Sequence, residues 1–153
     1  MTNYRSHNSG RLLFEEFFEA TPPGGYGTQR ALGAIDQNNT DASILRQGIK
    51  YHQAGDYDLA LVSLRAYLEG NPVQEEKAVM LLAAGAAMAT GNYAEAREYV
   101  DELSESAPST IWYDALLNLR AEDIQGAKAS LTALTEKNSE ASATAKELLT
   151  RLR

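Results

Sequence analysis

Two segments of 18 residues share the same spacing, and they constrain the fold more than any other feature of this sequence. The first runs from Gly55 to Pro72 and the second from Gly91 to Pro108, and each has Tyr at its third position and Ala at its sixth. A weaker copy of the alanine-to-apolar spacing surrounds Ala127. A segment that recurs with fixed internal spacing is typical of a chain built by stacking copies of one structural unit.

The first residues of each copy predict the end of one helix and the start of the next. Gly55 and Gly91 suit the left-handed conformation that often closes a helix, because glycine adopts it without steric cost. Asp56 and Asn92 follow them, and we expect their side chains to accept hydrogen bonds from the first amides of the next helix. Apolar residues then recur at helical spacing. Each copy therefore predicts a tight turn between two helices.

The wider pattern resembles the tetratricopeptide repeat family. Gly48, Tyr51, Ala60 and Pro72 stand at matching places of the W-x2-L-G-x2-Y, A-x3-F and P pattern, whose period is about 34 residues. The resemblance extends over roughly residues 41–137. It implies an all-α fold, a right-handed solenoid of about three helix hairpins with a C-terminal capping helix and an N-terminal helix packed back on it.

Helical periodicity divides the chain into two predicted parts. We expect residues 1–40 to form an N-terminal tail, a Phe-rich helix and a Pro/Gly linker, and residues 41–153 to form the repeat domain. The unpatterned residues 1–10 are expected to be disordered. Helices are expected at about 11–20, 41–54, 57–69, 72–90, 93–106, 109–121, 123–136 and 139–152, and one or two helical turns at 28–35. The last of these helices is expected to have its apolar face at Ala143, Leu148, Leu149 and Leu152.

The composition argues against several kinds of site. A net charge of −7 without clustered basic residues argues against a nucleic-acid partner. The absence of cysteine removes disulfides, thiolate nucleophiles and Cys-ligated metals, and His7 and His52 each lack a second histidine nearby. No apolar run reaches the ~20 residues of a membrane span, and the closest, residues 78–89, predicts a helix buried in the interior instead. We therefore expect no enzyme activity, no catalytic residues, no cofactor, no metal and no direct membrane insertion.

The family resemblance also implies where a partner would bind. In tetratricopeptide proteins the first helix of each repeat lines a concave groove, and most residues at the corresponding positions here are apolar. An open groove of this kind would expose a hydrophobic patch that soluble monomers rarely show, so we expect it to be covered. The groove residues implied by the resemblance are Leu45, Ile49, His52, Leu81, Gly85, Met88, Trp112, Leu116 and Leu119.

The Phe-rich helix is one candidate to cover that groove. It contains all three phenylalanines of the chain, and the Pro/Gly linker after it is long enough to let it fold back. We expect this self-docking to use Leu13, Phe14, Phe17 and Phe18. Two alternatives stay open: a helix or extended peptide from a partner covers the groove, or three repeats curve so little that the groove residues simply pack between helices.

These features predict a protein–protein interaction scaffold that uses its concave face. The partner would be a protein or peptide, whose identity the sequence does not specify, and the chain would be a monomer or a weak homodimer. The alternative is a self-associating assembly module with no peptide-binding role. The order of Phe-rich acidic helix, Pro/Gly break and repeats also resembles the soluble tail of membrane-anchored bacterial tetratricopeptide proteins. If the chain is a piece of such a protein, it would be periplasmic or otherwise extracytoplasmic; if not, cytoplasmic.

Overall fold

The computed structural model describes residues 2–20, 40–70, 76–103, 107–137 and 139–152. Within these ranges it contains eight α-helices and no strand, which confirms the all-helical prediction. The predicted turns at 28–35 and the predicted helix start at 72 lie outside the described residues. The helices are α1 (Thr2–Phe17), α2 (Thr40–Gln53), α3 (Tyr57–Glu69), α4 (Glu76–Ala89), α5 (Tyr93–Leu103), α6 (Pro108–Arg120), α7 (Ile124–Thr135) and α8 (Glu140–Arg151).

The helices belong to two compact units. Unit A comprises residues 20–103 and contains the hairpins α2–α3 and α4–α5, with α3 also packed against α4. Unit B comprises residues 1–19 and 104–153 and contains the hairpin α6–α7, with α8 packed against both of its helices and α1 packed against α6. The predicted boundary between residues 40 and 41 falls at the start of α2 and stays a prediction.

The same pattern of backbone hydrogen bonds closes all three hairpin turns. In the first turn the amide of Gly55 donates to the carbonyl of His52 over 3.1 Å, and the amide of Asp56 donates to that of Tyr51 over 2.9 Å. This pair of bonds is the Schellman motif, and it recurs in the turns at Gly91 and Glu122. The predicted left-handed glycines are confirmed, with φ of 81° at Gly55 and 82° at Gly91.

Side-chain capping is less uniform than the sequence predicts. Asp56 precedes α3 but makes no side-chain capping bond, so that part of the prediction is wrong. Its carbonyl instead accepts the amide of Ala60 over 3.0 Å, which is the first bond of the new helix. Asp123 alone of these turn residues is seen to cap with its side chain, accepting the amide of Gly126 over 3.0 Å. The Schellman geometry satisfies the preceding helix end whether or not the cap forms.

Small residues allow the paired helices to pack closely. The three alanines at the repeat position, Ala60, Ala96 and Ala127, have no exposed surface, as the close approach of two backbones requires. Gly48 on α2 has the same role, since a Cβ there would lie 3.0 Å from Leu64 Cδ2. Helix α4 is buried on every face from residue 78 to 88, which confirms its prediction as an apolar interior helix.

The terminal helices differ from their predictions. Residues 2–10, expected to be disordered, belong to α1, and the helix ends at Phe17 rather than at Ala20. Each residue added to a formed turn gains a backbone hydrogen bond, and no proline interrupts this stretch. Helix α8 was expected to bury Ala143 and its i+5 neighbour Leu148, but Ala143 is exposed. The buried face has true helical spacing through Ala141, Ala145 and Leu148.

Candidate protein-binding site

The predicted groove residues all lie on the first helices of the hairpins, and all are interior residues. Eight of them have 3% or less of their surface exposed, and Gly85 is buried as well. They have no free surface in this conformation, so their use in binding stays a prediction. They are Leu45, Ile49 and His52 on α2, Leu81, Gly85 and Met88 on α4, and Trp112, Leu116 and Leu119 on α6.

The four residues predicted for self-docking lie on or just after α1 and differ in burial. Leu13 and Phe14 are buried, with 6% and 4% of their surface exposed, whereas Phe17 and Phe18 are half-buried. The rings of Phe14 and Phe18 are stacked, with 5.1 Å between their centroids. The guanidinium of Arg151 lies 6.0 Å from the centre of the Phe17 ring. Burial of Leu13 and Phe14 therefore supplies most of the hydrophobic stabilisation that these four residues give to the docking of α1.

Helix α1 lies close to α6 because residue 10 is a glycine. A Cβ at Gly10 would overlap the carbonyl oxygen of Leu119 near the end of α6. After the helix the chain stays near α6, since the hydroxyl of Tyr113 donates to the carbonyl of Glu19 over 3.4 Å. Glu16 forms a bidentate ion pair with Arg151 of α8 at 2.5 and 3.2 Å. Both side chains are about half exposed, so the pair contributes little energy.

Glu122, in the turn between α6 and α7, holds α1 by two hydrogen bonds. Its carboxylate accepts the amide of Gly10 over 3.2 Å and the amide of Arg11 over 2.9 Å. Glu122 occupies the turn position that Gly55 and Gly91 take in the other hairpins, and its φ of 62° is also left-handed. A non-glycine residue is strained in this conformation by about 1–2 kcal/mol. A strained residue that also makes long-range contacts is a candidate for a functional role.

His52, near the end of α2, is buried with an incomplete set of hydrogen bonds. Only 3% of its surface is exposed, and the ring of Tyr57 meets it edge-on with 5.2 Å between the centroids. It forms a hydrogen bond with the backbone of Ala20, but its Nε2 atom has no hydrogen-bond partner in the described part of the chain. Burial lowers the pKa of His52 below the ordinary 6.5, and the bond to Ala20 opposes this only in part.

A comparison with protein-family models found a match over part of the chain. Residues 51–119 match the model described as Tetratricopeptide repeat. Residues 51–119 of this chain are tetratricopeptide repeats. The match begins in α2 and ends in α6, so it includes the turns at Gly55 and Gly91. Neither the comparison with curated proteins nor that with solved structures found a match.

Tetratricopeptide repeats generally mediate protein–protein interaction and are typically non-catalytic scaffolds. Among the described residues, no group of three or more His, Cys, Asp or Glu side chains could hold a metal ion. No helix in the described ranges combines the length and the apolar character that crossing a bilayer requires.

Glu122 was not among the residues predicted for the site, although the sequence carries one signal for it. Aligning the three hairpin turns places Glu122 with Gly55 and Gly91, where a glycine is expected. A charged residue at a glycine position suggests that its side chain is needed. Its two partners, Gly10 and Arg11, lie more than a hundred residues away in sequence, so spacing could not have revealed them.

Replacing Glu122 by glycine tests whether its side chain or its backbone strain dominates. Glycine would relieve the left-handed strain but would remove two bonds to a charged acceptor, each contributing about 1.5–3 kcal/mol. We expect Glu122→Gly to lower the free energy of unfolding of unit B by about 1 kcal/mol. Urea titration followed by Trp112 fluorescence would measure it. If Glu122→Gly were more stable than the wild type, the carboxylate would contribute no net stability. Glu122→Gln is the control, because it keeps the shape of the side chain and removes its charge.

The lowered pKa of His52 predicts a loss of stability in mild acid. Below the ordinary pKa of 6.5 the unfolded chain binds a proton that folded His52 does not, so the free energy of unfolding falls until the folded pKa is reached. We expect urea unfolding, followed by circular dichroism, to show lower stability at pH about 5.5 than at about 7.5. His52→Phe should remove most of this dependence, and His7→Gln, at the only other histidine, should keep it. An unchanged slope in His52→Phe would contradict the assignment.

Proposed function

We propose that the chain is a protein-interaction scaffold that binds a partner helix or peptide on the first helices of its hairpins. In the resting state its own α1 takes the place of the partner on α6. The observation that supports this proposal is the packing of α1 against α6, together with the burial of Leu13 and Phe14 on α1. An amphipathic helix lying on an apolar surface is a common mode of peptide recognition. We also assign the groove residues on α2 and α4 to the partner-binding surface, and this assignment is based on the family resemblance alone.

The bonds that hold α1 are of a kind that a partner could replace. The carboxylate of Glu122 accepts two backbone amides from the middle of α1, and the free amides at the start of a partner helix are equally able to donate to it. The ion pair between Glu16 and Arg151 is partly exposed. A partner with an acidic side chain at the position of Glu16 would form the same pair with Arg151. Because α1 belongs to the same chain, its binding to α6 is intramolecular and independent of protein concentration, so a partner must bind tightly to displace it.

A variant with a weakened α1 contact tests the proposal. Gly10→Ala should release α1 from α6, because its Cβ overlaps the Leu119 carbonyl, while Arg11→Ala keeps both backbone bonds and serves as the control. Cross-linking in the native cells should trap a protein more efficiently with Gly10→Ala than with either the wild type or the control. A synthetic peptide of residues 2–20 should compete with that protein. The proposal would be contradicted if the wild type, Gly10→Ala and Arg11→Ala all trapped the protein equally and the peptide did not reduce the trapping.

Self-association is the second candidate function, and exposed apolar residues on α3 favour it. Leu59 and Val62 lie about one turn apart on α3, with 45% and 57% of their surface exposed. Sedimentation equilibrium would decide between the two candidates. A dimer that is lost in Val62→Glu would support the assembly module. A chain that remains monomeric at high concentration would exclude it and leave the scaffold.

A further inference from the structure

The contact between Glu122 and α1 has the form of a cap on the start of a helix. The carboxylate accepts two consecutive backbone amides, that of Gly10 over 3.2 Å and that of Arg11 over 2.9 Å. Inside an α-helix each amide donates to the carbonyl four residues earlier, whereas the first four amides have no partner of this kind. A carboxylate that accepts such amides is typical of a helix N-terminus, and here a residue distant in sequence supplies it.

Helix α1 does not fill this site in the most favourable way. It spans Thr2–Phe17, so the amides of Gly10 and Arg11 lie in its middle, where the carboxylate competes for them with carbonyls one turn earlier. A helix that began at this glycine would have both amides free, and the positive end of its dipole would face Glu122. Glycine also destabilises the interior of a helix but is well tolerated at its start. The site therefore favours a helix start.

Three further features of unit B restrict the residues that can follow. The first position must be glycine, because a Cβ there would overlap the carbonyl oxygen of Leu119. Three and four positions later, Leu13 and Phe14 are buried. Six positions later, Glu16 pairs with Arg151 of α8. Glu16 follows Leu13 by three residues, so the buried and the acidic positions lie along the same side of the helix.

We infer that the surface of unit B that holds α1 recognises the first turns of a partner helix. The inference rests on the proposed function and narrows it to one class of partner. That helix begins with glycine, has large apolar residues three and four positions later, and has an acidic residue six positions later. A basic residue at that last position would be repelled by Arg151.

Peptide binding to the full-length Gly10→Ala chain, in which the α1 contact is weakened, tests the inference. The probes are two peptides, residues 10–20 and residues 2–20, with a C-terminal fluorescein and an N-terminal acetyl group that removes the terminal charge. By fluorescence anisotropy we expect the shorter peptide to bind at least as tightly as the longer one. Helix propensity alone predicts the opposite order, because a shorter peptide forms less helix in water.

Substitutions identify the groups that are recognised. In the shorter peptide, Gly10→Ala should weaken binding about ten-fold, and Glu16→Gln should weaken it by up to about five-fold. Leu12→Ala is the matched control, because Leu12 is an exposed residue of α1, and it should bind as the parent peptide does. Adding Glu122→Gln to the chain should weaken binding of the shorter peptide about ten-fold, because both amides lose a charged acceptor.

The outcomes separate this inference from the proposed function. If the shorter peptide bound more weakly than the longer one, or if its glycine and alanine forms bound equally, the inference would be wrong and the proposed function would stand. If neither peptide bound to Gly10→Ala or to Phe14→Ala, both would be wrong. The second chain weakens the α1 contact by loss of a buried ring instead of an overlap, so a folding defect of one variant does not determine the result.

Discussion

Phe14→Ala is expected to lower the free energy of unfolding of unit B by about 3 kcal/mol, the low end of values for a buried phenylalanine. Phe14 has 4% of its surface exposed, and it stacks on Phe18, so its removal leaves a cavity beneath α1. The loss cannot exceed the energy with which α1 is docked, because beyond that point the helix detaches while the hairpin remains. Urea unfolding followed by the fluorescence of Trp112, the single tryptophan, reports on this unit.

The control for this variant is Leu12→Ala. Leu12 is also a large apolar residue of α1, but 59% of its surface is exposed. We expect its replacement to change the stability by less than about 0.5 kcal/mol. Equal effects of the two substitutions would mean that α1 is not held by its buried face, and the docking of α1 on α6 would have to be abandoned. Faster hydrogen exchange of the α1 amides in Phe14→Ala alone would locate the effect.

The second large effect is expected at Gly10, where two physical terms have opposite signs. Alanine is the better helix former by about 1 kcal/mol, so helix propensity alone predicts that Gly10→Ala stabilises the chain. The added Cβ, however, would overlap the Leu119 carbonyl and approach the Glu122 carboxylate to 2.9 Å. Overpacking against a backbone atom costs about 1–3 kcal/mol, and moving α1 away also weakens the bond from the Gly10 amide. We expect a net loss of about 2 kcal/mol.

The sign of the change at Gly10 is the result to measure. Arg11→Ala is the matched control, because its side chain is exposed and its amide still reaches Glu122. We expect that control to stay within about 0.5 kcal/mol of the wild type in the same Trp112 titration. A Gly10→Ala chain that is as stable as the wild type or more so would show that α1 and α6 are not in close contact.

The parts of the fold that the sequence predicted are those governed by local interactions. The glycines at 55 and 91 have a fixed role within one hairpin, and the structure confirms it. The alanines at 60, 96 and 127, which mark the repeat in the sequence, are fully buried. Helix α4 was recognisable because it is apolar on every face. In these cases the physical requirement, a positive φ or a close helix contact, is met by a residue type visible in the sequence.

The parts that the sequence did not predict depend on contacts between distant segments. Residues 2–10 lack a helical pattern of their own, and Glu122 contacts α1 across a long separation in sequence. The buried face of α8 was wrongly placed on Ala143 because several small and apolar residues there allow more than one register. Which register is buried is decided by the helices it packs against, α6 and α7, and not by its own sequence.

The long sequence separation between α1 and Glu122 has a consequence for how the chain is made. Glu122 is synthesised more than a hundred residues after Gly10, so Leu13 and Phe14 leave the ribosome well before α6 and the turn after it exist. Helix α1 therefore emerges before the helix it packs against and finds its place only afterwards. During that interval the nascent chain presents a bare apolar helix, which is the kind of segment that chaperones protect from aggregation.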